Sequence, residues 1–281
     1  MSRWLRRRRT PAALFVEEAW QSYTYLPGLM GELSRQLIRR SLLSGLGWSR
    51  LAITTSTVTE RALRGSYGAS RTAVLHDGLD CSGIDRSDAA RPAVFTYDFI
   101  TVGRQVRIKR VRDFVIALSR LREQFGWSGK AVVVGKGPEL GSLKELVTNL
   151  GLARQIDVTG HVSDTALSSL LRSSKVFVLC SEREGFSQAT LLALAWGLPA
   201  IVARPRFEEV FGVSDLVSDG LNGSYFSVGD TDALAQQMYQ LLGSEETYRR
   251  MSAQARLVGT DSDWSYQAEK LEALLLALSA T

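Results

Sequence analysis

Lys175-Val176-Phe177-Val178-Leu179-Cys180 leads into Ser181-Glu182-Arg183-Glu184-Gly185-Phe186, and residues 187–196 then follow as a largely apolar helical stretch. An apolar run without alternation is the mark of a strand covered on both faces, and a glycine-bearing polar turn into a helix completes a βα unit. The same grammar recurs on both sides. Strand-like runs occupy 93–102, 131–134, 155–159, 175–180 and 199–203, with helical stretches at 111–125, 140–150, 165–171 and 187–196 between them. In the first of these helices Val111, Phe114, Val115, Leu118, Leu121 and Phe125 form one stripe at i, i+3, i+4, i+7 spacing. Strict βα alternation predicts an α/β fold with a doubly wound, Rossmann-like parallel sheet and right-handed crossovers.

The flanks read differently. After 203 the pattern is helical, at 233–242 behind an Asp230 cap, at 246–258 and at 264–278. Before 93 there are candidate strands at 12–17 and 51–54, a basic helix at 29–43 and a helix at 57–64. The run 72–75 then leads into the turn-like His76-Asp77-Gly78, and a polar stretch covers 82–92. The expected division is a partial N-terminal α/β remnant over 1–90, a donor-type domain over 91–260, and a C-terminal helix over 261–281 that packs back toward the N-terminal part. Two complete α/β domains need on the order of 300 residues, so the first is expected to be truncated.

Composition narrows the function classes. The chain has 281 residues, 45% hydrophobic and 22% charged, as a globular protein does. No apolar run approaches the roughly 20 residues of a membrane span, and residues 1–9 lack the apolar core of a signal peptide. Two cysteines and two histidines build neither a disulfide framework nor a metal site. A reducing, cytoplasmic setting is expected.

The net charge of +5 lies at one end. Residues 1–60 carry nine arginines and four glutamates, with no Lys or Asp, and 9 − 4 = 5 accounts for all of it. Arg3 and Arg6 to Arg9 form a cationic cluster suited to anionic lipid headgroups. The helix at 29–43 reads either as packed on the N-terminal remnant or as lying on a membrane face. No nucleic-acid module accompanies the arginines, and nucleic acid is not expected as a partner.

In an open parallel sheet, ligands bind beyond the carboxyl ends of the strands. The text there is Gly103-Arg104, Gly135-Lys136-Gly137-Pro138, Gly160-His161-Val162, Glu184-Gly185-Phe186 and Arg204-Pro205-Arg206. Glycines admit a ligand to the backbone, cations match phosphate, and the helix opening at Ser187 favours an anion. A phosphorylated ligand beside a carboxylate is the chemistry implied. Each glycine pair has a bland reading too, since the chain must turn at strand ends.

The ordered set resembles retaining, family-4-type glycosyltransferases of the two-Rossmann-domain architecture, in their donor-binding half. It runs from Val102-Gly103-Arg104 with Lys109, through Gly135-Lys136-Gly137-Pro138, Val158-Thr159-Gly160-His161-Val162 and Ser181-x-x-Glu184-Gly185-Phe186. It ends with Ala195-Trp196-Gly197-Leu198-Pro199 and Asp219-Gly220-Leu221-Asn222-Gly223. The resemblance implies hexosyl transfer from a nucleotide sugar to a glycan or lipid-linked acceptor with retention. It implies no metal and no cofactor beyond the nucleotide-diphosphate sugar as co-substrate. Glu184 would be catalytic, while Gly103, Arg104, Lys109, Gly135, Gly137, Val162, Gly185, Phe186, Ser187 and Leu192 would bind the donor. Lys109 equally reads as a solvated helix start, and Glu184 as a carboxylate favoured by a helix dipole.

Departures are visible. Leu192 stands where the family usually has a second glutamate on the ribose hydroxyls, and a lost hydrogen-bonding partner there costs about 1–3 kcal/mol. Cys180 and Ser187 replace usual prolines, Arg110 a usual glycine, and Pro205-Arg206-Phe207 a usual Gly-Gly turn. A second reading follows, a non-catalytic glycosyltransferase-fold module acting as partner or scaffold. The expected place is cytoplasmic, peripheral at the inner membrane face.

Overall fold

The computed structural model describes residues 13–16, 28–81, 83–84, 95–206, 211–258 and 262–279, with the side chains of 28–35, 38 and 48 left aside. The arginine cluster at 3–9 and nearly all of the polar stretch 82–92 lie outside the described residues. The chain divides into two compact units, one drawn from Met1–Gly78 and Trp264–Thr281, the other Leu79–Asp263.

The smaller unit is built on three short parallel strands, β1 (Ala13–Val16), β2 (Leu51–Thr54) and β3 (Thr72–Val74), in that spatial order. Helices α1 (Gly28–Trp48) and α2 (Thr57–Tyr67) connect them. Ser56 caps α2 by accepting from the Thr59 N–H, and Gly68 ends it in the left-handed region at φ 68°. One face of this sheet packs Val16 and Ala52 against Leu42, Leu46, Leu63 and Tyr67. The other packs Leu51, Ile53 and Leu75 against Leu271, Leu274 and Leu278 of the last helix, α9 (Trp264–Ser279).

The larger unit holds six strands: β4 (Tyr97–Val102), β5 (Ala131–Val134), β6 (Ile156–Gly160), β7 (Ser174–Leu179), β8 (Ala200–Arg204) and β9 (Gly223–Ser227). All are parallel, in the order β6-β5-β4-β7-β8-β9. Between and after them run α3 (Val111–Phe125), α4 (Leu140–Asn149), α5 (Asp164–Arg172), α6 (Gln188–Ala195), α7 (Thr231–Leu242) and α8 (Glu245–Val258). The α/β, parallel-sheet expectation holds. The sequence reading missed β9, because Gly223-Ser224-Tyr225-Phe226-Ser227 lacks an apolar run.

The strands are apolar throughout because alternate residues enter different cores. Phe99, Val133, Val176 and Val178 join the cluster under α3 and α7. Ile100, Val132, Val134, Phe177 and Leu179 join the opposite cluster with Leu191, Leu194 and Ala255. Each fully buried side chain of this size stabilises the fold by about 1.5–3 kcal/mol. Polar residues on either face would leave that energy unrealised, so both registers are hydrophobic.

The strand order decides where a ligand goes. From β4 the chain steps outward to β5 and β6, then returns across β4 to β7 and continues to β9. Crossovers on the two sides of β4 lie on opposite faces of the sheet. A crevice therefore opens between the carboxyl ends of β4 and β7, the topological switch point.

Candidate functional site

Two strands frame this crevice, and their following loops are tied together. After β4 comes Gly103, where an added Cβ meets nothing within 4 Å. Arg104 is exposed. Gln105 is buried, and its Nε2 donates to the Gly103 carbonyl at 3.0 Å and the Val134 carbonyl at 3.4 Å. Its backbone N–H donates to the Lys136 carbonyl at 2.9 Å, and its carbonyl accepts from the Glu139 N–H at 3.0 Å.

This packing accounts for two of the glycines. At Gly137 a Cβ would fall 2.3 Å from the Gln105 carbonyl oxygen, and at Gly135 (φ 129°) one would fall 1.9 Å from that of Gly103. Both residues therefore let the β4 and β5 loops touch. Gly103 keeps its open side.

Arg107–Lys109 make a single 3₁₀ turn, and Arg110 follows in the left-handed region at φ 48° before α3 begins. That conformation explains why the position suits glycine. Here the guanidinium compensates by an ion pair with Asp113, Nε to Oδ2 at 2.7 Å. The turn brings Lys109 over the switch point.

The β7 loop meets it from the other side. The Glu182 N–H donates to the Ile108 carbonyl at 2.8 Å, and the Glu184 carbonyl accepts from the Gly212 N–H at 2.9 Å. Held at both ends, Glu184 directs its carboxylate to the lysine, with Lys109 Nζ to Glu184 Oε1 at 2.5 Å. The two side chains keep only 22% and 10% of their exposure. Water is largely excluded, so the interaction is stronger than a surface pair.

Gly185 is half-buried, and Phe186 inserts into the core beside Leu191. Ser187 adopts φ 84°, ψ 82°, and caps α6. Its Oγ is 2.8 Å from Thr190 Oγ1 and accepts from the Thr190 N–H at 3.4 Å. A serine held there stores on the order of 1 kcal/mol or more. The cap aims the N-terminus of α6 at the loop that carries Glu184.

Val162, beyond β6, and Leu192, in α6, are half-buried and pack against the same apolar cluster. Leu192 thus presents hydrocarbon where a carboxylate would present acceptors. Two polar atoms beside these loops are buried without a hydrogen-bond partner: Gln105 Oε1, which the sequence reading did not single out, and Ser181 Oγ, which opens the Ser181-x-x-Glu184 motif. Cys180 is fully buried, and burial pushes its thiol up, so it is no nucleophile at neutral pH. Among the described residues no group of three or more His, Cys, Asp or Glu is placed to hold a metal ion. Among them, too, no helix is long and apolar enough to cross a membrane.

The expected residues thus fall into three groups. Lys109 and Glu184 meet directly. Gly103, Arg104, Gly185, Phe186 and Ser187 border the same strand ends, and Gly135 and Gly137 serve the loop contact behind them. Val162 and Leu192 form an apolar flank.

Comparison with known proteins agrees with this architecture. The family described as glycosyl transferases group 1 matches residues 93–258, more than half of the chain. N-acetyl-alpha-D-glucosaminyl L-malate synthase of Bacillus anthracis is 35% identical over 150 residues, 53% of this chain and 37% of that protein. The lipopolysaccharide core biosynthesis glycosyltransferase LpsE of Rhizobium meliloti is 26% identical over 210 residues, 75% of this chain and 53% of that protein. The chain therefore spans about half or less of these curated relatives. Among solved structures, Anabaena HepE in complex with UDP superposes with a TM-score of 0.81 at 17% identity, covering 98% of this chain and 75% of that one. Sucrose-phosphate synthase from Thermosynechococcus elongatus gives 0.79 at 20% identity, covering 99% and 70%.

Proposed function

The chain belongs to the glycosyl transferases group 1, and from that premise we propose that it moves a hexosyl group from a nucleoside-diphosphate sugar to a glycan or lipid-linked acceptor, with retention and without a metal. The observation that carries the reading is the Lys109–Glu184 pair at the switch point, beside the capped N-terminus of α6.

In this reading the donor diphosphate replaces Glu184 as the partner of Lys109. Arg104 adds a second fixed cation, and the N-terminus of α6 at Gly185, Phe186 and Ser187 supplies oriented backbone dipoles. The anomeric carbon–phosphate oxygen bond breaks and an acceptor oxygen bonds to the same face of the sugar. The acceptor proton passes to the departing phosphate oxygen. Lys109 and Arg104 stabilise the charge that grows on the leaving diphosphate. Glu184, freed from the lysine, orients the sugar hydroxyls and stabilises positive charge near the anomeric carbon. The base lies along the loop at Val162. Gly103, with open space beside it, allows close approach.

The relative named for lipopolysaccharide core biosynthesis supports an envelope or exopolysaccharide glycan as acceptor class. A cytoplasmic site of action, with the basic N-terminal residues toward anionic lipid, goes with that reading. Isothermal titration with UDP, GDP and their sugars is the test: absence of binding at millimolar ligand would sink the donor site. The anomeric proton coupling of the product reads retention, and activity after chelator treatment reads metal independence.

One observation favours a second reading, a non-catalytic donor-fold module: Leu192 is packed into an apolar cluster rather than offering a carboxylate. Donor hydrolysis or transfer that disappears in Glu184→Gln would dispose of it.

A further inference from the structure

The loop after β4 carries a backbone N–H that the fold leaves unpaired. The Gly103 N–H donates to the Val134 carbonyl at 3.0 Å and the Gln105 N–H to the Lys136 carbonyl at 2.9 Å, so both point toward β5. Successive N–H groups of an extended segment point to opposite sides. The Arg104 N–H between them therefore faces the β7 side, where the crevice opens. No acceptor among the described residues meets it.

Gln105 fixes this arrangement. Its Nε2 donates to the Gly103 carbonyl at 3.0 Å and to the Val134 carbonyl at 3.4 Å. The Gly103 carbonyl also abuts Gly135, where an added Cβ would fall 1.9 Å from its oxygen. The peptide joining Gly103 to Arg104 is planar and trans, so a carbonyl pinned toward β5 turns the N–H away from β5. Gln105 is 1% exposed, and its Oε1 has no hydrogen-bond partner. A hydrocarbon of similar shape would fill the space without orphaning a polar atom, so packing alone does not account for an amide here. What the amide does is set the direction of one peptide.

We propose that Gln105 is a positioning residue for the nucleotide sugar: it holds the Gly103–Arg104 peptide so that the Arg104 N–H donates to a non-bridging diphosphate oxygen. The inference rests on the donor-site reading and adds an uncharged, fixed contact to the two side-chain cations. Long cationic side chains can follow a phosphate as it moves, whereas an N–H on a tied loop has one direction and selects the place of one oxygen. Gly103 puts no side chain between that N–H and the ligand.

The test is isothermal titration of the full chain, Gln105→Leu and Gln105→Met with UDP, GDP and the nucleosides uridine and guanosine. Amide proton spectra of chains carrying isotopically labelled arginine accompany it. Both variants keep or raise the thermal midpoint, because an orphaned polar atom is removed. Diphosphate affinity falls about 10-fold, within the range of one hydrogen bond to a charged group, while nucleoside affinity is unchanged. The Arg104 amide proton, identified by its disappearance in Arg104→Lys, moves downfield when the unaltered chain is saturated with the diphosphate. In the Gln105 variants it stays near its free position. Unchanged diphosphate affinity in both variants overturns the proposal, as does an Arg104 amide that does not move when the unaltered chain binds. Equal losses for nucleoside and diphosphate would reduce Gln105 to packing and overturn it too. Absence of diphosphate binding by the unaltered chain is a different result: it sinks the donor-site reading and this proposal with it.

Discussion

Lys109 Nζ lies 2.5 Å from Glu184 Oε1, although the two residues are 75 positions apart in the chain. They meet because β4 and β7 are neighbours, paired at Phe99–Val176 and Ile100–Phe177, and their loops emerge on the same edge. In the proposed reaction this pair would be separated by a ligand that is itself an anion joined to a polyol.

Removing either partner exposes this logic. Lys109→Met leaves the Glu184 carboxylate partly buried without its cation, costing about 1–3 kcal/mol of stability, and weakens donor binding about 10–100-fold. Lys109→Met with Glu184→Leu recovers part of the stability and none of the activity. Urea unfolding and calorimetric titration on the two single variants and the double variant check both statements.

Glu184→Gln keeps the shape and loses the charge. Turnover is expected to fall about 10²–10³-fold with a smaller change in KM, because the charge acts most strongly where positive charge develops. Steady-state kinetics with saturating donor reads the split, and a large KM change with intact kcat would count against a catalytic role.

Ser187 tests stored strain. Glycine tolerates φ 84°, so Ser187→Gly relieves the backbone and forfeits little of the cap, whereas Ser187→Ala keeps the strain and loses the cap. The expected order of thermal midpoints is glycine, serine, alanine, with the alanine variant less stable than the serine parent by about 1 kcal/mol.

Gly103 and Gly137 separate ligand contact from loop contact. Gly137→Ala puts a methyl 2.3 Å from backbone and lowers both stability and donor affinity. Gly103→Ala meets open space, so its thermal midpoint stays put and only donor affinity falls. Leu192→Glu complements the pair: donor affinity rises about 10–100-fold for a ribonucleotide donor if the helix faces its ribose.

Alkaline unfolding should involve Tyr225. Burial pushes its phenol up to about 12 from 10.0, Arg204 pulls it back, and Asp219 and Asp215 push it further. The folded state holds the proton more tightly than the unfolded one, so this contribution is complete below pH 10.0 and is lost as pH climbs to about 12. Urea midpoints across that interval should fall for the parent chain and fall less for Tyr225→Phe.

Much of this was legible in local text. Val176 to Leu179 announced a strand covered on both faces, and Val111 to Phe125 announced its helix by spacing alone. The ends of elements were less legible: α1 runs to Trp48 rather than 43, and β4 starts at Tyr97. Pattern fades where the last turn of a helix carries glycines, as at Gly45 and Gly47. Tyr225 and Phe226 in β9 were hidden because their flanking serines and glycine read as a turn.

The sequence by itself determined the succession of strands and helices and the residue types at each strand end, because period and turn chemistry are local. Only the tertiary structure decided that β4 and β7 lie side by side, that Lys109 therefore meets Glu184, and that Gly135 and Gly137 accommodate a neighbouring loop. Those outcomes follow from the order in which six parallel strands bury two faces. That order is set by long-range packing, to which no window of sequence has access.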